Sequence, residues 1–443
     1  MKQQSIRAGI WTLGCKVNQY ESQAIAEELT RHGFLVVPTG EVCDLYIINT
    51  CTVTAESDRK ARQFIRRATS RNPEAKVIVT GCLAQTDADA LAAMGCVHAV
   101  VGNGQKMDVV SEALRLFDGQ RTEEVHILVT PLENAPFEPM KISFFDRTRA
   151  YVKIEDGCEN HCTYCIIPQA RGAVRSKSPE DVIAEVTALT ENGCREVVLT
   201  GIETASYGKD LEGTDLATLL ERIDRIPNIG RVRLGSLDPS LIRPAFVERI
   251  AKLSSLAPHF HLSLQSGSSR ILAKMKRKYN RDMAMDAIRL LRASIPSVEF
   301  TTDVIVGFPG ETEEDFEDTV RFVEEARFLN VHIFPYSKRK GTPAALMGSQ
   351  LSTDVKRQRL HRLEEVTARI REERLQEAIA REPRQAVLFE TYENGLLQGH
   401  TASFLEVAVP AKCPMHGEMA PVILTDTDGI RCFGVFEEEF HGA

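Results

Sequence analysis

Between residues 150 and 335 the chain repeats one pattern six times, a short apolar run followed by a helical stretch. The runs Tyr151–Glu155, Val197–Thr200, Val232–Gly235, Phe260–Leu264, Thr302–Val306 and Val331–Phe334 have strand length, and Pro179–Glu191, Leu241–Leu253, Met283–Ala293 and Glu313–Glu325 carry helical periodicity between them. Six β/α units in succession demand parallel strands joined by crossovers. The simplest arrangement is an open or incomplete barrel with its chemistry at the C-terminal ends of the strands.

The flanking segments read differently. Residues 1–128 form a βα layered unit in which Ile10–Leu13, Leu45–Asn49 and Val77–Thr80 are buried parallel strands, each running into a cysteine: Cys15, Cys51 and Cys82. A parallel sheet exposes its strand C-termini on one side, so these three distant cysteines are expected at one edge. Residues 129–145, with Pro131, Pro136 and Pro139, read as a linker, and 146–376 as the barrel. A charged helix from about 352 to 380 leads out of it. In 377–443 the runs Ala386–Phe389, Leu405–Val409, Pro421–Leu424 and Gly434–Glu438, with turns at Asn394-Gly395 and Asp428-Gly429, predict a small all-β barrel. The fold class is therefore α/β with three units: the layered N-terminal unit, an incomplete (β/α)6 barrel and the C-terminal barrel.

Hydrophobic residues are 43% and charged residues 26% of the chain, as in globular proteins, and no apolar run has the length of a membrane span. Met1-Lys2-Gln3-Gln4 leads into a strand-like segment without a signal-peptide core, so a cytoplasmic location and no membrane partner are expected. Eleven cysteines, an odd number, make a poor disulfide framework, which turns attention to metal binding.

The densest thiol motif is Cys158-x-x-x-Cys162-x-x-Cys165, just after the first barrel strand. Structural zinc normally takes four protein ligands and this loop supplies three, with His161 poorly placed for the same ion. Unliganded core thiols fit badly with a polar loop containing Gly157, Asn160 and His161. An iron–sulfur cluster held by three cysteines would leave one iron open to a substrate or cofactor.

With that motif in that place, the chain resembles the radical S-adenosylmethionine superfamily. Thr12-Leu13-Gly14-Cys15-Lys16-Val17-Asn18-Gln19-Tyr20-Glu21-Ser22, Asn49-Thr50-Cys51-Thr52-Val53-Thr54 and Thr80-Gly81-Cys82-Leu83-Ala84-Gln85 narrow the resemblance to its methylthiotransferases. Ile166-Ile167-Pro168 with Arg171-Gly172, His261–Gly267, Thr302–Thr312 and Phe334–Ser337 fit the same family, and the C-terminal module resembles the RNA-binding TRAM domain. The resemblance implies two 4Fe-4S clusters, one on Cys158, Cys162 and Cys165 that cleaves S-adenosylmethionine to a hydrogen-abstracting radical, and one on Cys15, Cys51 and Cys82 that holds the sulfur. It also implies cofactor contacts for Tyr164 beside adenine, Gly201 and Glu203 near the methionine amino group, Arg175 at its carboxylate, Ser236 and Asp238 near the ribose, and Gly307 with Gly310 near adenine. Glu203 stands where the family more often has asparagine or histidine. Cys43, Cys96, Cys194, Cys413 and Cys432 lie outside these motifs and are read as structural.

Family members insert a methylthio group into an adenosine beside the tRNA anticodon or into an aspartate of a ribosomal protein. The stretch Leu13–Ser22 resembles the subgroup acting at C2 of N6-threonylcarbamoyladenosine 37, whereas the isopentenyladenosine subgroup tends to carry Gln-Met after the first cysteine and the ribosomal-protein subgroup Pro-Lys. The resemblance thus implies tRNA as partner, an external electron donor of flavodoxin type or equivalent, a sulfur donor the sequence does not name, and a monomer. The alternatives are the isopentenyladenosine and ribosomal-protein activities, or a non-catalytic iron–sulfur protein that binds RNA or senses redox state.

A formal charge of −8 argues against diffuse attraction to nucleic acid, and 381–443 holds ten acidic side chains, Glu438 and Glu439 among them, against four basic ones. The expected RNA contacts are therefore local: Arg59, Lys60, Arg62, Arg66, Arg67 and Arg71; Arg270, Lys274, Lys276, Arg277, Lys278 and Arg281; and the 356–374 helix.

Overall fold

The computed structural model describes residues 5–118, 124–145 and 148–437; Glu438 and Glu439 lie outside this range. The N-terminal unit is a parallel sheet of six strands, ordered Leu35–Val36, Arg7–Thr12, Leu45–Thr50, Lys76–Gly81, Ala99–Val101, His126–Leu128. The three strands read from the sequence are its centre, where both faces are covered and the residues are continuously apolar. The other strands are two or three residues long, too short to show a pattern.

All six barrel strands lie where the repeat predicts, and every pair is parallel. Ala150–Lys153, Glu196–Thr200 and Arg231–Leu234 form one sheet; Ser236–Leu237, His259–Gln265, Glu299–Val306 and Asn330–Pro335 form the next. The step between sheets falls at Gly235, whose missing Cβ would stand 3.1 Å from the Leu199 carbonyl. Among the described residues no ladder joins Ala150–Lys153 to Asn330–Pro335, so the barrel is open on that side. The helices Pro179–Glu191, Arg281–Ser294 and Glu313–Ala326 match expectation, while Leu241–Leu253 shrinks to Pro244–Ile250, with Pro244 in the first helical turn.

Two helices flank the opening. Lys16–Arg31 turns Tyr20 and Ala24 into the barrel core and Ile25 and Leu29 into the N-terminal core, so one helix seals two hydrophobic clusters. Thr353–Arg381 packs against Asn330–Pro335 and Glu313–Ala326, then carries Leu375 into the C-terminal core.

Residues 129–145 are bound into the seam between the first two units. Met140 and Ile142 belong to the barrel core, and the Met140 carbonyl accepts from Tyr20 Oη at 2.7 Å. The backbone N–H of Ile142 donates to Glu185 Oε1 at 2.7 Å, and Glu138 accepts from the N–H groups of Lys106 and Met107 at 2.8 Å.

The C-terminal module is a closed barrel of five strands, one more than the sequence suggests. The extra strand, Leu396–His400, follows the Asn394-Gly395 turn, where both residues have positive φ (53° and 79°) as a two-residue hairpin turn requires. The module docks on the bottom of the large barrel through Arg231 Nη1 to the His400 carbonyl (3.2 Å) and Arg233 Nη1 to the Ala402 carbonyl (3.1 Å).

Candidate active site

The cysteine-bearing turns are built on close backbone approach. Gly157 (φ 88°) sits where a Cβ would stand 1.8 Å from the Ala173 carbonyl, and Gly81 (φ 98°) where one would stand 2.3 Å from the Thr50 carbonyl. No other residue fits these positions, and each glycine hands the chain to a cysteine, Cys158 or Cys82. Cys15 caps the helix Lys16–Arg31, Cys51 follows the strand Leu45–Thr50, and Cys82 opens the short helix Cys82–Thr86. The three therefore converge at the C-terminal edge of the sheet, with Cys51 and Cys82 buried and Cys15 exposed; burial, then a charge on Cys82, raises the Cys51 thiol.

The second triad is held by N–H···S bonds. Asn160 N donates to Cys158 Sγ and Ile167 N to Cys165 Sγ, both at 3.4 Å, while Arg277 Nη1 donates to Cys162 Sγ at 3.3 Å. Burial pushes Cys158 up to about 12, and Cys165 and Cys51 to about 11, so metal binding here must displace protons. A charge on Cys82 also raises Cys165, so the two triads approach one another at these two residues.

Arg171 joins them. Fully buried, it donates from Nε to Cys82 Sγ at 3.4 Å, from Nη2 to Asn18 Oδ1 at 2.6 Å, and from Nη1 to Glu21 Oε1 at 2.5 Å. Glu21, 1% exposed, also meets Lys106 Nζ at 2.9 Å and Lys153 Nζ at 2.8 Å. Burial alone would lift the Glu21 carboxyl, yet Arg171, Lys106 and Lys153 together hold it well below the carboxylate range. Asp156 is likewise lifted by burial but brought down to about 2 by Arg171 and Lys153. Asn103 completes the bridge, donating to Cys82 Sγ at 3.7 Å and to the Ala170 carbonyl at 2.8 Å.

Beside the second triad lies a cavity of about 490 Å3 whose lining includes Asn160, Glu203, Asp238, Arg243 and Lys278. Glu203 accepts from Asn160 Nδ2 at 2.9 Å; burial, then the neighbouring Asp238, pushes its carboxyl up to about 7. Asp238 Oδ2 accepts from Arg277 Nη2 at 2.8 Å. Two buried polar atoms near the loop lack protein partners: Nη1 of Arg175 and Oε1 of Glu155, whose carboxyl burial raises well above its usual value. Arg175 and Asp156 are register partners in a two-stranded ladder that leads into Gly157.

Not every expected contact gathers there. Tyr164 packs with Phe308 and Tyr336 in a small apolar cluster under the loop. Gly201 leaves room for Glu155, because a Cβ would stand 2.5 Å from Glu155 Oε2. Gly307 abuts the Lys356 stem, with 2.4 Å to Cγ for an added Cβ, and its N–H donates to Glu311 Oε2 at 2.7 Å. Gly310 lies against Lys274, and Ser236 is exposed outside the cavity lining.

Residues 152–323 match the Radical SAM superfamily, and residues 7–102 match the grouping described as Uncharacterized protein family UPF0004. The chain is 39% identical to threonylcarbamoyladenosine tRNA methylthiotransferase MtaB of Bacillus subtilis, over 93% of this chain and 92% of that protein. It belongs to the radical S-adenosylmethionine methylthiotransferase family. Its likeness to the Thermotoga maritima protein of the same name is 41% over 80% of each chain, and to a tRNA-2-methylthio-N(6)-dimethylallyladenosine synthase of Desulfitobacterium hafniense 33% over 97% of each. In fold it is similar to the radical S-adenosylmethionine methyltransferase TsrM of Kitasatospora setae, at a TM-score of 0.58, 16% identity and 77% coverage of both chains.

A radical S-adenosylmethionine methylthiotransferase uses S-adenosylmethionine, a 4Fe-4S cluster and an additional cluster. The residues present fit such groups: two triads of thiols, N–H donors aimed at sulfur, and beside the loop one unpartnered atom each on Arg175 and Glu155, suited to a ligand that carries both a carboxylate and an ammonium. Arg171, Glu21, Asn103 and Glu155 are site residues to which motif reading gave no role, and Arg277 is one it assigned to RNA. The only advance signal is that Glu21 and Arg171 fall inside the family stretches, since burial of a charge has no local sequence signature.

The expectation for RNA contacts needs correction at two places. Arg277 is buried against Cys162 and Asp238, and Arg270 and Arg281 pair with Asp315 and Glu325. On the long helix, Arg359 and Arg362 bind Glu311, Glu313 and Glu317, Arg369 binds Glu324, and Arg374 binds Glu299 and Glu377. These charges fasten helices together. By contrast, Lys60, Arg66 and Arg67 are exposed and make no ion pair among the described residues.

Proposed function

We propose that the protein inserts a methylthio group at C2 of N6-threonylcarbamoyladenosine at position 37 of tRNA. The observation that carries the reading is the approach of the two cysteine triads to one another at Cys82 and Cys165, with Arg171 tying Cys82 to Asp156 ahead of the second loop. Single-triad chemistry needs no second triad facing it, whereas sulfur insertion at an inert carbon needs a carbon-activating centre beside a sulfur-holding one. The MtaB names of the relatives supply the substrate class.

In this reading Cys158, Cys162 and Cys165 hold the radical-generating cluster and Cys15, Cys51 and Cys82 the auxiliary one. When bound, the clusters and S-adenosylmethionine supply hydrogen abstraction and the methylthio sulfur. The chain's own residues position these partners. Arg175 and Glu155 offer free hydrogen-bonding atoms to the cofactor's charged groups; Glu203 fixes the loop through Asn160; Arg277 neutralises charge at Cys162; Arg171 does so at Cys82 and sets its distance from the loop. Tyr164 covers one side with its ring, and Asp238 anchors Arg277 at the cavity wall. The adenosine must leave its stack to reach this site, as with other enzymes acting on a base.

The reading carries with it a cytoplasmic monomer, a one-electron donor of flavodoxin type or equivalent, and a sulfur donor. Nucleoside mass spectrometry of tRNA from a deletion strain tests it: loss of 2-methylthio-N6-threonylcarbamoyladenosine, restored by the wild-type gene and not by a Cys158→Ser copy, is expected. Persistence of the modified nucleoside in a strain with no second such enzyme would overturn it.

A further inference from the structure

A second cavity, of about 200 Å3, lies inside the large barrel and is closed below by the C-terminal module. Lys16, Tyr151, Arg233, His259, His261 and His332 are among its lining residues, together with Phe404 from the module. No cysteine lines the cavity, but Lys16, which does, follows Cys15 in the chain.

Its charges are unevenly committed. Arg233 donates from Nε to the buried Glu196 at 2.8 Å, Arg149 forms an ion pair with the same carboxylate at 2.7 Å, and Arg149 also pairs with Glu390. His261 Nε2 faces Asp303 at 3.3 Å, and its Nδ1 meets Thr301 Oγ1 at 2.9 Å. Lys16, an exposed residue at the cavity, makes neither an ion pair nor a hydrogen bond with any described residue, and neither does His332. His259, 4% exposed, leaves Nδ1 without a partner. A cavity bordered by a solvent-exposed, unpaired ammonium, with an unpaired imidazole nitrogen and the Phe404 ring in its wall, suits a small anionic, hydroxyl-bearing group. It suits an apolar isoprenoid poorly, since filling the space with hydrocarbon would desolvate Lys16 without replacing its water.

We propose that this cavity receives the threonylcarbamoyl substituent of the flipped base, with Lys16 as counter-ion to its carboxylate. The inference rests on the substrate reading above and deepens it. A carboxylate held by Lys16 keeps the attached adenine within one lysine side chain of Cys15, beside the sulfur-holding centre. Selection of substituent and placement of the base then follow from the same contact.

The test uses anticodon stem-loops carrying adenosine, N6-threonylcarbamoyladenosine or its threonyl methyl ester at position 37, titrated by fluorescence anisotropy against reconstituted holoenzyme. The free acid is expected to bind about tenfold or more tighter than the ester. Lys16→Gln should erase that preference while leaving affinity for the ester and for adenosine within about twofold, and Lys16→Arg should retain most of it. Iron content and cluster absorbance of each variant check that the centres are intact. Equal binding of acid and ester by the wild-type enzyme, which needs no variant to fold, would overturn the inference, as would a Lys16→Gln enzyme that keeps the preference. A wild-type enzyme that fails to methylthiolate the acid-bearing stem-loop would instead overturn the substrate reading itself.

Discussion

Arg171 stands with Nε 3.4 Å from Cys82 Sγ while its Nη1 donates to Glu21 Oε1 at 2.5 Å and its Nη2 to Asn18, so one side chain of the barrel unit is bonded to three residues of the N-terminal unit. Removing it would strand Glu21 and Asp156 in the interior with fewer cations. Arg171→Ala is expected to lower stability by about 3–5 kcal/mol, as breaking a buried ion pair does. Arg171→Lys keeps the charge but not the fork, and should fold with a labile auxiliary cluster. Denaturant unfolding and iron loss against a chelator separate the two outcomes; wild-type iron retention by Arg171→Lys would contradict the bridging role.

The triads should be separable by mutation. Replacing Cys15, Cys51 and Cys82 with alanine is expected to leave roughly half the iron of the wild type and preserve S-adenosylmethionine cleavage, whereas replacing Cys158, Cys162 and Cys165 should leave the other half and abolish cleavage. Iron analysis with chromatographic detection of 5′-deoxyadenosine reads both. Cleavage surviving the second replacement would refute the assignment.

Free basic charge on the helix Ala55–Arg71 sits at Lys60, Arg66 and Arg67. Arg66→Glu with Arg67→Glu should weaken tRNA binding and flatten its dependence on salt, each lost phosphate contact reducing the slope by roughly 1. Filter binding across a salt series is the measurement; an unchanged slope would remove this helix from the RNA interface.

Glu196 provides a pH signature. It is wholly buried; burial raises its carboxyl, but Arg233, Arg149 and Arg231 bring it down to about 2. A depressed folded-state pKa contributes stability that is full above the unfolded value near 4.5 and fades as pH falls toward 2. The shift corresponds to roughly 3 kcal/mol at neutral pH. Glu196→Gln should therefore unfold more easily than wild type at pH 7, with the gap narrowing steadily below about pH 4.5. A gap independent of pH would assign the loss to packing alone.

Much of the architecture was legible because it is periodic. Long central strands such as Leu45–Thr50 and His259–Gln265 write their burial into consecutive or alternating apolar residues, and each triad announces itself by sitting after such a strand. What stayed hidden depends on partners far along the chain. Leu35–Val36 is too short for a period, and Leu396–His400 is a strand by virtue of the ladders on either side of it. Arg277 and the arginines at 359 to 374 look like a solvated basic face until their carboxylate partners, about 40 to 75 residues away, are in place. Gly307 reads as a cofactor glycine in sequence, yet the neighbour that demands it is the stem of Lys356.

The stretch Met140–Ser143 bonds to both larger units. Its ties to Tyr20, Glu27 and Glu185 clamp the sheet unit to the barrel along the same seam that carries Arg171. The separation of the two sulfur-rich centres is thus fixed when the polypeptide folds and is not assembled afresh at each turnover. In a machine built this way the nucleic acid does the moving: the anticodon loop must deform to present its base to a gauge of constant width, and RNAs that deform readily there would be modified first.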